Sequence, residues 1–175
     1  VYGPPPGPSD AALPGVVILH GSEGPMAGWA HRFAAILAAH GMLALPLGYG
    51  EGDFWSAGPI REQPLARVIE AGRALAAEPR TGRVGLLGWS KGGEMAMAVA
   101  SLMGADTPFA CVAAHAPTDT ITGAFDPETA RSGLPRLSRD PAAPRAWVWP
   151  GHEAALTPGT PIAIERAPVP VFLSV

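Results

Sequence analysis

The 175-residue sequence predicts an α/β fold built on a doubly wound, mostly parallel sheet. Short apolar runs alternate with segments of helical periodicity, which is the pattern of successive βαβ units. The composition agrees, because 47% of the residues are hydrophobic and only 15% are charged, as a sheet buried on both faces requires. At this length we expect one domain spanning 1–175.

The first half of the chain contains three predicted elements in regular order. A buried strand at 16–19 precedes a helix across 28–40, and a second buried strand follows at 42–47. The large apolar residues of the helix fall at helical spacing: Trp29, Phe33, Ile36 and Leu37. We therefore expect these four side chains to face the core, and Gly41 to end the helix.

The second half continues the alternation and then loses it. A loop at 48–55, expected over the site, leads to a helix with this apolar face: Leu65, Val68, Ile69, Gly72 and Leu75. A strand at 84–87, a helix at 94–100 and a strand at 109–114 come next. From 117 to 168 the chain is rich in Pro, Arg and Gly, which predicts a cap or an irregular excursion. The run 169–175 is the last predicted strand.

The most specific motif is Gly88-Trp89-Ser90-Lys91-Gly92, placed between a predicted strand and a predicted helix. This pattern is typical of a nucleophile elbow, in which the serine occupies a strained strand-to-helix turn with a positive φ that only flanking glycines allow. The helix N-terminus would face the oxyanion that forms in acyl transfer. The alternative is a glycine-rich turn that binds phosphate or nothing.

A second glycine-rich turn, His20-Gly21-Ser22-Glu23-Gly24, ends the first predicted strand. In α/β-hydrolases such a turn supplies one oxyanion-hole N–H, and the residue after the nucleophile supplies the other. The predicted donors are therefore the backbone amides of Ser22 or Glu23 and of Lys91. We expect the His20 ring to pack beneath the turn rather than to react.

The chain resembles the dienelactone hydrolase-like α/β-hydrolases. Within them it is most similar to the C-terminal domain of the acyl-CoA thioesterase and bile acid-CoA:amino acid N-acyltransferase family. The elbow Leu86 to Ala96 carries the resemblance, because it matches that family's G-x-S-K-G-(A/G)-E-(L/M) pattern. The resemblance implies a serine-dependent acyl hydrolase or acyltransferase. Its substrate would be a small-molecule thioester or ester, attacked by Ser90, with no cofactor.

The chain also departs from that family. The run 169–175 is similar to the family's next-to-last strand, and the family's acid turn, final helix, final strand and histidine loop have no counterpart. We therefore expect a domain that lacks its C-terminal strand and helix, with the base and the acid outside this sequence. The alternative is a non-catalytic or split module that needs a partner chain for the histidine and the acid.

Residues of this chain that could replace the missing base and acid are few. The histidines after Ser90 are His115 and His152, and Asp119 is the nearest candidate acid. His115 and Asp119 are expected at the pocket; the alternative for Asp119, which its position after a strand favours, is a carboxylate that caps a turn. Lys91 and Glu94, three residues apart, are expected to pair with each other rather than form a Ser-Lys dyad.

Composition excludes several other functions. The net charge is −3, and the 12 basic residues form no run, so neither nucleic acid nor a membrane surface is an expected partner. No span of about 20 apolar residues and no signal peptide is visible, which favours a cytoplasmic setting. The single cysteine, Cys111, is expected in the core. Neither metal-ligand spacing nor a dinucleotide fingerprint is present.

Overall fold

The computed structural model describes residues 1–6, 11–25, 29–50, 58–128 and 137–175. Part of the predicted loop at 48–55 lies outside these residues. In chain order the elements are β1 (Leu13–Leu19), α1 (Trp29–Ala39), β2 (Leu43–Leu47), β3 (Gln63–Pro64), α2 (Ala66–Ala76), β4 (Thr81–Trp89), α3 (Lys91–Leu102), β5 (Phe109–His115), β6 (Trp147–Val148), a 3₁₀ turn (Ile164–Arg166) and β7 (Val171–Ser174).

The described residues form a five-stranded sheet in the order β2-β1-β4-β5-β7, in which every neighbouring pair is parallel. Alternate residues of β1 enter two different apolar clusters, because successive side chains of a strand point to opposite faces. Val17 and Leu19 pack with α2 and α3, whereas Ile18 packs with α1. Helices therefore cover both faces, and the predicted doubly wound fold class is confirmed.

The buried face of α1 differs in part from the prediction, since Phe33 and Leu37 are half-buried against the cluster of Ile18 as expected. Its buried residues are Ala30, Ala34 and Ala38, while Trp29 is 55% exposed and Ile36 is 53% exposed. Both sets of residues have helical spacing, so the spacing alone does not select one. The small alanines allow the helix axis to approach β1 and β2 closely, and the larger side chains turn toward the edges of this contact.

The segment 117–168 contains two short regular elements in its described part, β6 and the 3₁₀ turn. β6 pairs in parallel with β3 in a separate two-stranded sheet. The segment is nevertheless well packed, because Trp147, Leu156 and Ile162 are buried in the same cluster as α2 and α3. Its described residues therefore extend the core on the α3 side of the sheet.

The prediction that Cys111 lies in the core is wrong. Its side chain is exposed, because α1 packs over β1 and β2 and does not reach β5. Beside it, Phe172 of β7 is 66% exposed and pairs in register with Ala113. No described element covers the α1 side of β5 and β7. Among the described residues there is also no helix long and apolar enough to cross a bilayer.

Candidate active site

Ser90 stands at the junction between the last residue of β4 and the first residue of α3. Its backbone angles are φ 51° and ψ −121°, a conformation that residues other than glycine rarely adopt. The junction is held from both sides, since Ser90 N–H donates to His115 O (2.8 Å) and Glu94 N–H donates to Ser90 O (3.0 Å). The predicted positive φ on a strand-to-helix turn is confirmed.

The two glycines of the motif are required by space. A Cβ at Gly88 would lie 2.2 Å from the carbonyl oxygen of Gly92. A Cβ at Gly92 would lie 2.2 Å from the carbonyl oxygen of His20, at the end of β1. Because these contacts are with backbone atoms, no rotamer change could relieve them. At this turn β4, α3 and the end of β1 therefore pack against one another through backbone atoms, without intervening side chains.

Ser90 is exposed to a cavity of about 400 Å³ on the α1 side of the sheet. The cavity is mainly apolar, and its lining residues are Trp29, Phe33, Leu87, Trp89, Ser90, His115 and Ala116. Within the described part of the chain, Ser90 Oγ makes no hydrogen bond. The hydroxyl is therefore available to a molecule in the cavity.

The turn at 20–24 lies beside the serine, at the same edge of the sheet. A Cβ at Gly21 would be 3.3 Å from Ser90 Cβ. The backbone N–H groups of Ser22, Glu23 and Lys91 have no hydrogen-bond acceptor among the described residues. Unpaired N–H groups near a nucleophile and at a helix N-terminus can receive a negatively charged oxygen.

The side chain of Glu23 has a place in this site that sequence reasoning missed, since only its backbone was considered. Glu23 Oε1 accepts hydrogen bonds from Gly21 N–H (2.8 Å) and from the indole Nε1–H of Trp89 (3.0 Å). The carboxylate thereby ties the 20–24 turn to the residue that precedes Ser90. Local sequence patterns do not indicate this contact, because Glu23 and Trp89 are far apart in the chain.

His20 is a structural residue, as expected. Its buried ring stacks on Tyr49 with centroids 3.9 Å apart, and Nδ1–H donates to Gly21 O (2.7 Å). Nε2 lies 2.9 Å from Tyr49 O and 3.1 Å from Tyr49 N, while the Tyr49 hydroxyl donates to His20 O. Burial lowers the pKa of His20, against the opposing effect of its hydrogen bonds to Gly21 and Tyr49 and of the Glu23 charge, and burial raises the pKa of Tyr49.

Lys91 and Glu94 form the predicted ion pair, with Nζ 2.9 Å from Oε1. The prediction missed its burial, because both side chains are completely inaccessible to solvent. Burial lowers the pKa of Lys91, and the charge of Glu94 and its hydrogen bond act in the opposite direction. The ammonium points away from Ser90 toward Thr122, which rules out a Ser-Lys dyad in this arrangement.

The structure separates the other candidate residues from one another. His115 lines the cavity with Ser90, but its Nδ1 is hydrogen-bonded to Ser174 Oγ (3.0 Å) rather than to Ser90. Asp119 is not a lining residue of this cavity, and its exposed carboxylate pairs with Arg139 (3.0 Å). His152 packs against Trp149 within the 117–168 segment. No described imidazole hydrogen-bonds to the Ser90 hydroxyl, and no metal-binding cluster occurs among the described residues.

Solved structures with a similar backbone are α/β-hydrolases. The α/β hydrolase GrgF from Penicillium sp. sh18 superposes with a TM-score of 0.51 at 22% identity, over 71% of this chain and 44% of its own. Esterase B from Lactobacillus rhamnosis, in a structure with a tributyrin phosphonate inhibitor, gives 0.52 at 21% identity, over 67% of this chain and 43% of its own.

A third similar structure, assigned as a dienelactone hydrolase from Klebsiella pneumoniae subsp. pneumoniae MGH 78578, gives 0.50 at 14% identity. It matches 97% of this chain and 77% of its own. No protein-family model and no curated protein matches the chain. The chain thus has the α/β-hydrolase fold, and it spans less than half the length of the first two similar structures.

Proposed function

We propose that Ser90 is the nucleophile of an acyl hydrolase or acyltransferase that acts on a small-molecule ester or thioester. The observation that carries this proposal is the backbone of Ser90, held at φ 51° with its hydroxyl at a cavity. Such strain persists only where the surrounding structure enforces it, and it is concentrated at functional sites. Here the close packing of Gly88 and Gly92 enforces it.

In the proposed reaction, Ser90 Oγ attacks the acyl carbonyl carbon and loses its proton to a base. The carbonyl oxygen becomes an oxyanion, which accepts hydrogen bonds from the N–H groups of Lys91 and of Ser22 or Glu23. The carbon–oxygen or carbon–sulfur bond then breaks, and the leaving group takes a proton. Water or an amine attacks the resulting acyl-enzyme and releases the product.

The cavity favours an apolar acyl group, because Phe33, Leu87 and Trp89 line it. A thioester substrate and an amine acceptor rest on the resemblance of the elbow sequence alone. Hydrolysis of an ester and of a thioester requires the same groups, namely the nucleophile and the oxyanion donors described above together with a base.

The second candidate is a split or non-catalytic module, in which another polypeptide segment supplies the base and the acid. Two observations favour it. No described imidazole hydrogen-bonds to Ser90, and the apolar α1 side of β5 and β7 is exposed at Cys111 and Phe172. A parallel sheet is normally covered on both faces, so a further helix on this side would complete both the fold and the site.

The test measures phosphonylation of the purified chain by a fluorophosphonate probe, together with hydrolysis of nitrophenyl esters and simple thioesters. We expect labelling that Ser90→Ala abolishes and that Ser101→Ala leaves unchanged. Ser101 is a suitable control because its hydroxyl lies in the same helix and donates to Ala98 O (3.0 Å). Absence of labelling in the wild-type chain would contradict a Ser90 that this chain activates by itself.

Turnover distinguishes the two candidates. Without a base, we expect hydrolysis no faster than the ~10³–10⁴-fold acceleration over water that an oxyanion hole and binding can provide. His115→Ala and Asp119→Asn should then leave the rate unchanged. If the chain turns over at a full enzyme's rate and His115→Ala abolishes it, the chain contains its own base and the split-module candidate is wrong.

A further inference from the structure

The residue after the proposed nucleophile carries a fully buried positive charge. Lys91 Nζ donates to both carboxylate oxygens of Glu94 (2.9 and 3.1 Å) and contacts the carbonyl oxygens of Thr122 and Gly123, each at 3.1 Å. The Thr122 hydroxyl completes the acceptors around it. The ammonium has three protons, so these acceptors fully satisfy it.

Glu94 connects the same cluster to the 117–168 segment. Its Oε1 accepts from Trp147 Nε1–H (2.7 Å) and from Thr122 N–H (3.0 Å), and its Oε2 accepts from the Thr118 hydroxyl (3.0 Å). The Trp147 ring also lies 4.9 Å from Lys91 Nζ, within cation–π distance. Among the described residues, the hydrogen-bond partners that the two side chains of the ion pair have outside α3 thus all lie within 118–128 and 137–147.

The ion pair also provides the only side-chain anchors for the first turn of α3. That turn consists of Lys91, Gly92, Gly93 and Glu94, and the glycines have no side chains. Ser90, which precedes the helix, makes no side-chain capping hydrogen bond. The direction of the Lys91 N–H therefore depends on the contacts of Lys91 and Glu94 and on the backbone packing of the glycines.

Stability alone does not explain such a pair. Removing two charges from water is costly, and replacing a buried ion pair by apolar residues of similar size is often neutral or stabilising. The contribution of a buried polar cluster is instead to fix one geometry of the groups attached to it. Here the attached group is the Lys91 N–H, which has no described acceptor and which the proposed mechanism directs at the oxyanion.

We propose that Lys91 and Glu94 are positioning residues, through which the described part of the 117–168 segment fixes the oxyanion-binding N–H of Lys91. The inference rests on the proposed function, since it assigns a use to that N–H. In this proposal the described part of the 117–168 segment orients the Lys91 N–H from the α3 side of the sheet. None of its residues lines the cavity at Ser90.

The decisive variant replaces both charges, Lys91→Met with Glu94→Leu, because the single Lys91→Met would leave a buried carboxylate unpaired. Thr122→Val removes one hydroxyl of the cluster at a residue outside α3. Arg73→Met, which breaks the exposed pair with Asp106 (3.5 Å), is the matched control. Thermal unfolding first establishes that each variant is folded.

Two readouts follow. The first is backbone ¹⁵N relaxation, which needs no activity. In the double variant we expect lower order parameters at residues 91–94 than in the wild-type chain, with the remainder of α3 unchanged.

The second readout is the phosphonylation rate of Ser90. We expect this rate to fall about 10²-fold in the double variant, which is the effect of losing one oxyanion donor. The affinity for a neutral ester should be unchanged, Thr122→Val should show a smaller loss, and Arg73→Met none.

A folded double variant with wild-type order parameters and wild-type Ser90 reactivity would overturn the inference. So would a loss confined to ester affinity, because a positioned oxyanion donor acts on the transition state and not on ground-state binding. If wild-type Ser90 does not react at all, the proposed function fails, while the relaxation data still decide whether the pair orders the first turn.

Discussion

Gly92, in the first turn of α3, packs directly against the carbonyl oxygen of His20 at the end of β1. A Cβ at Gly92 would lie 2.2 Å from that oxygen and 2.7 Å from the carbonyl oxygen of Leu19. The nucleophile turn and the 20–24 turn are therefore in contact through backbone atoms. Their relative position depends on the absence of a side chain at one residue.

Gly92→Ala should consequently destabilise the protein, because the added methyl group meets backbone oxygens that cannot move independently. We expect a loss of about 1–3 kcal/mol in the free energy of unfolding, measured in urea, and loss of Ser90 labelling. Gly104→Ala is the control, since a Cβ there meets nothing within 4 Å. Equal stability of the two variants would show that the contact with His20 is not rigid.

Ser90→Gly should stabilise the protein while removing its reactivity. Ser90 has a φ of 51°. This backbone conformation raises the free energy of a non-glycine residue by on the order of 1 kcal/mol, whereas glycine adopts it with little strain. Ser101→Gly, where α3 is regular, should instead destabilise by roughly 0.5–1 kcal/mol. Thermal unfolding of the two variants measures the contrast. A destabilised Ser90→Gly would mean that the serine is not strained.

His20 should make the stability depend on pH below its ordinary pKa of 6.5. The folded state lowers this pKa, so below pH 6.5 the unfolded chain binds a proton that the folded chain does not. The free energy of unfolding should therefore fall as the pH drops from 6.5 toward the folded pKa, by at most about 1.4 kcal/mol per pH unit. Above pH 6.5 this contribution is constant.

Urea unfolding at several pH values, compared between the wild-type chain and His20→Gln, isolates the effect. In His20→Gln the free energy of unfolding should no longer show this dependence on pH. His40→Gln, at an exposed histidine, should retain it. Parallel curves for the wild-type chain and His20→Gln would show that the ring is protonated equally in both states.

Cys111 should react with a thiol reagent such as dithionitrobenzoate in the absence of denaturant. Its side chain is exposed on the α1 side of β5, and it is the only cysteine, so the expected stoichiometry is one per chain. Cys111→Ala should abolish the reaction and leave the unfolding transition nearly unchanged. Reaction only after addition of urea would show that this face of the sheet is covered.

The sequence by itself determined the features that depend on local pattern. Alternating apolar runs and helical periodicity predicted the parallel sheet and placed α2, α3 and β5 within a few residues of their observed bounds. The glycines around Ser90 predicted its positive φ, because the requirement for small neighbours is a property of the turn itself. The spacing of Lys91 and Glu94 predicted their ion pair.

Only the tertiary structure decided which surfaces are covered. α1 has two helical stripes, and the contact with β1 and β2 selected the alanines over Trp29 and Ile36. Cys111 is exposed because α1 stops short of β5, and the Lys91–Glu94 pair is buried because Thr122, Gly123 and Trp147 pack over it. The contact of Glu23 with Trp89 likewise joins residues 66 positions apart. Burial depends on segments distant in the chain, and local periodicity carries no information about them.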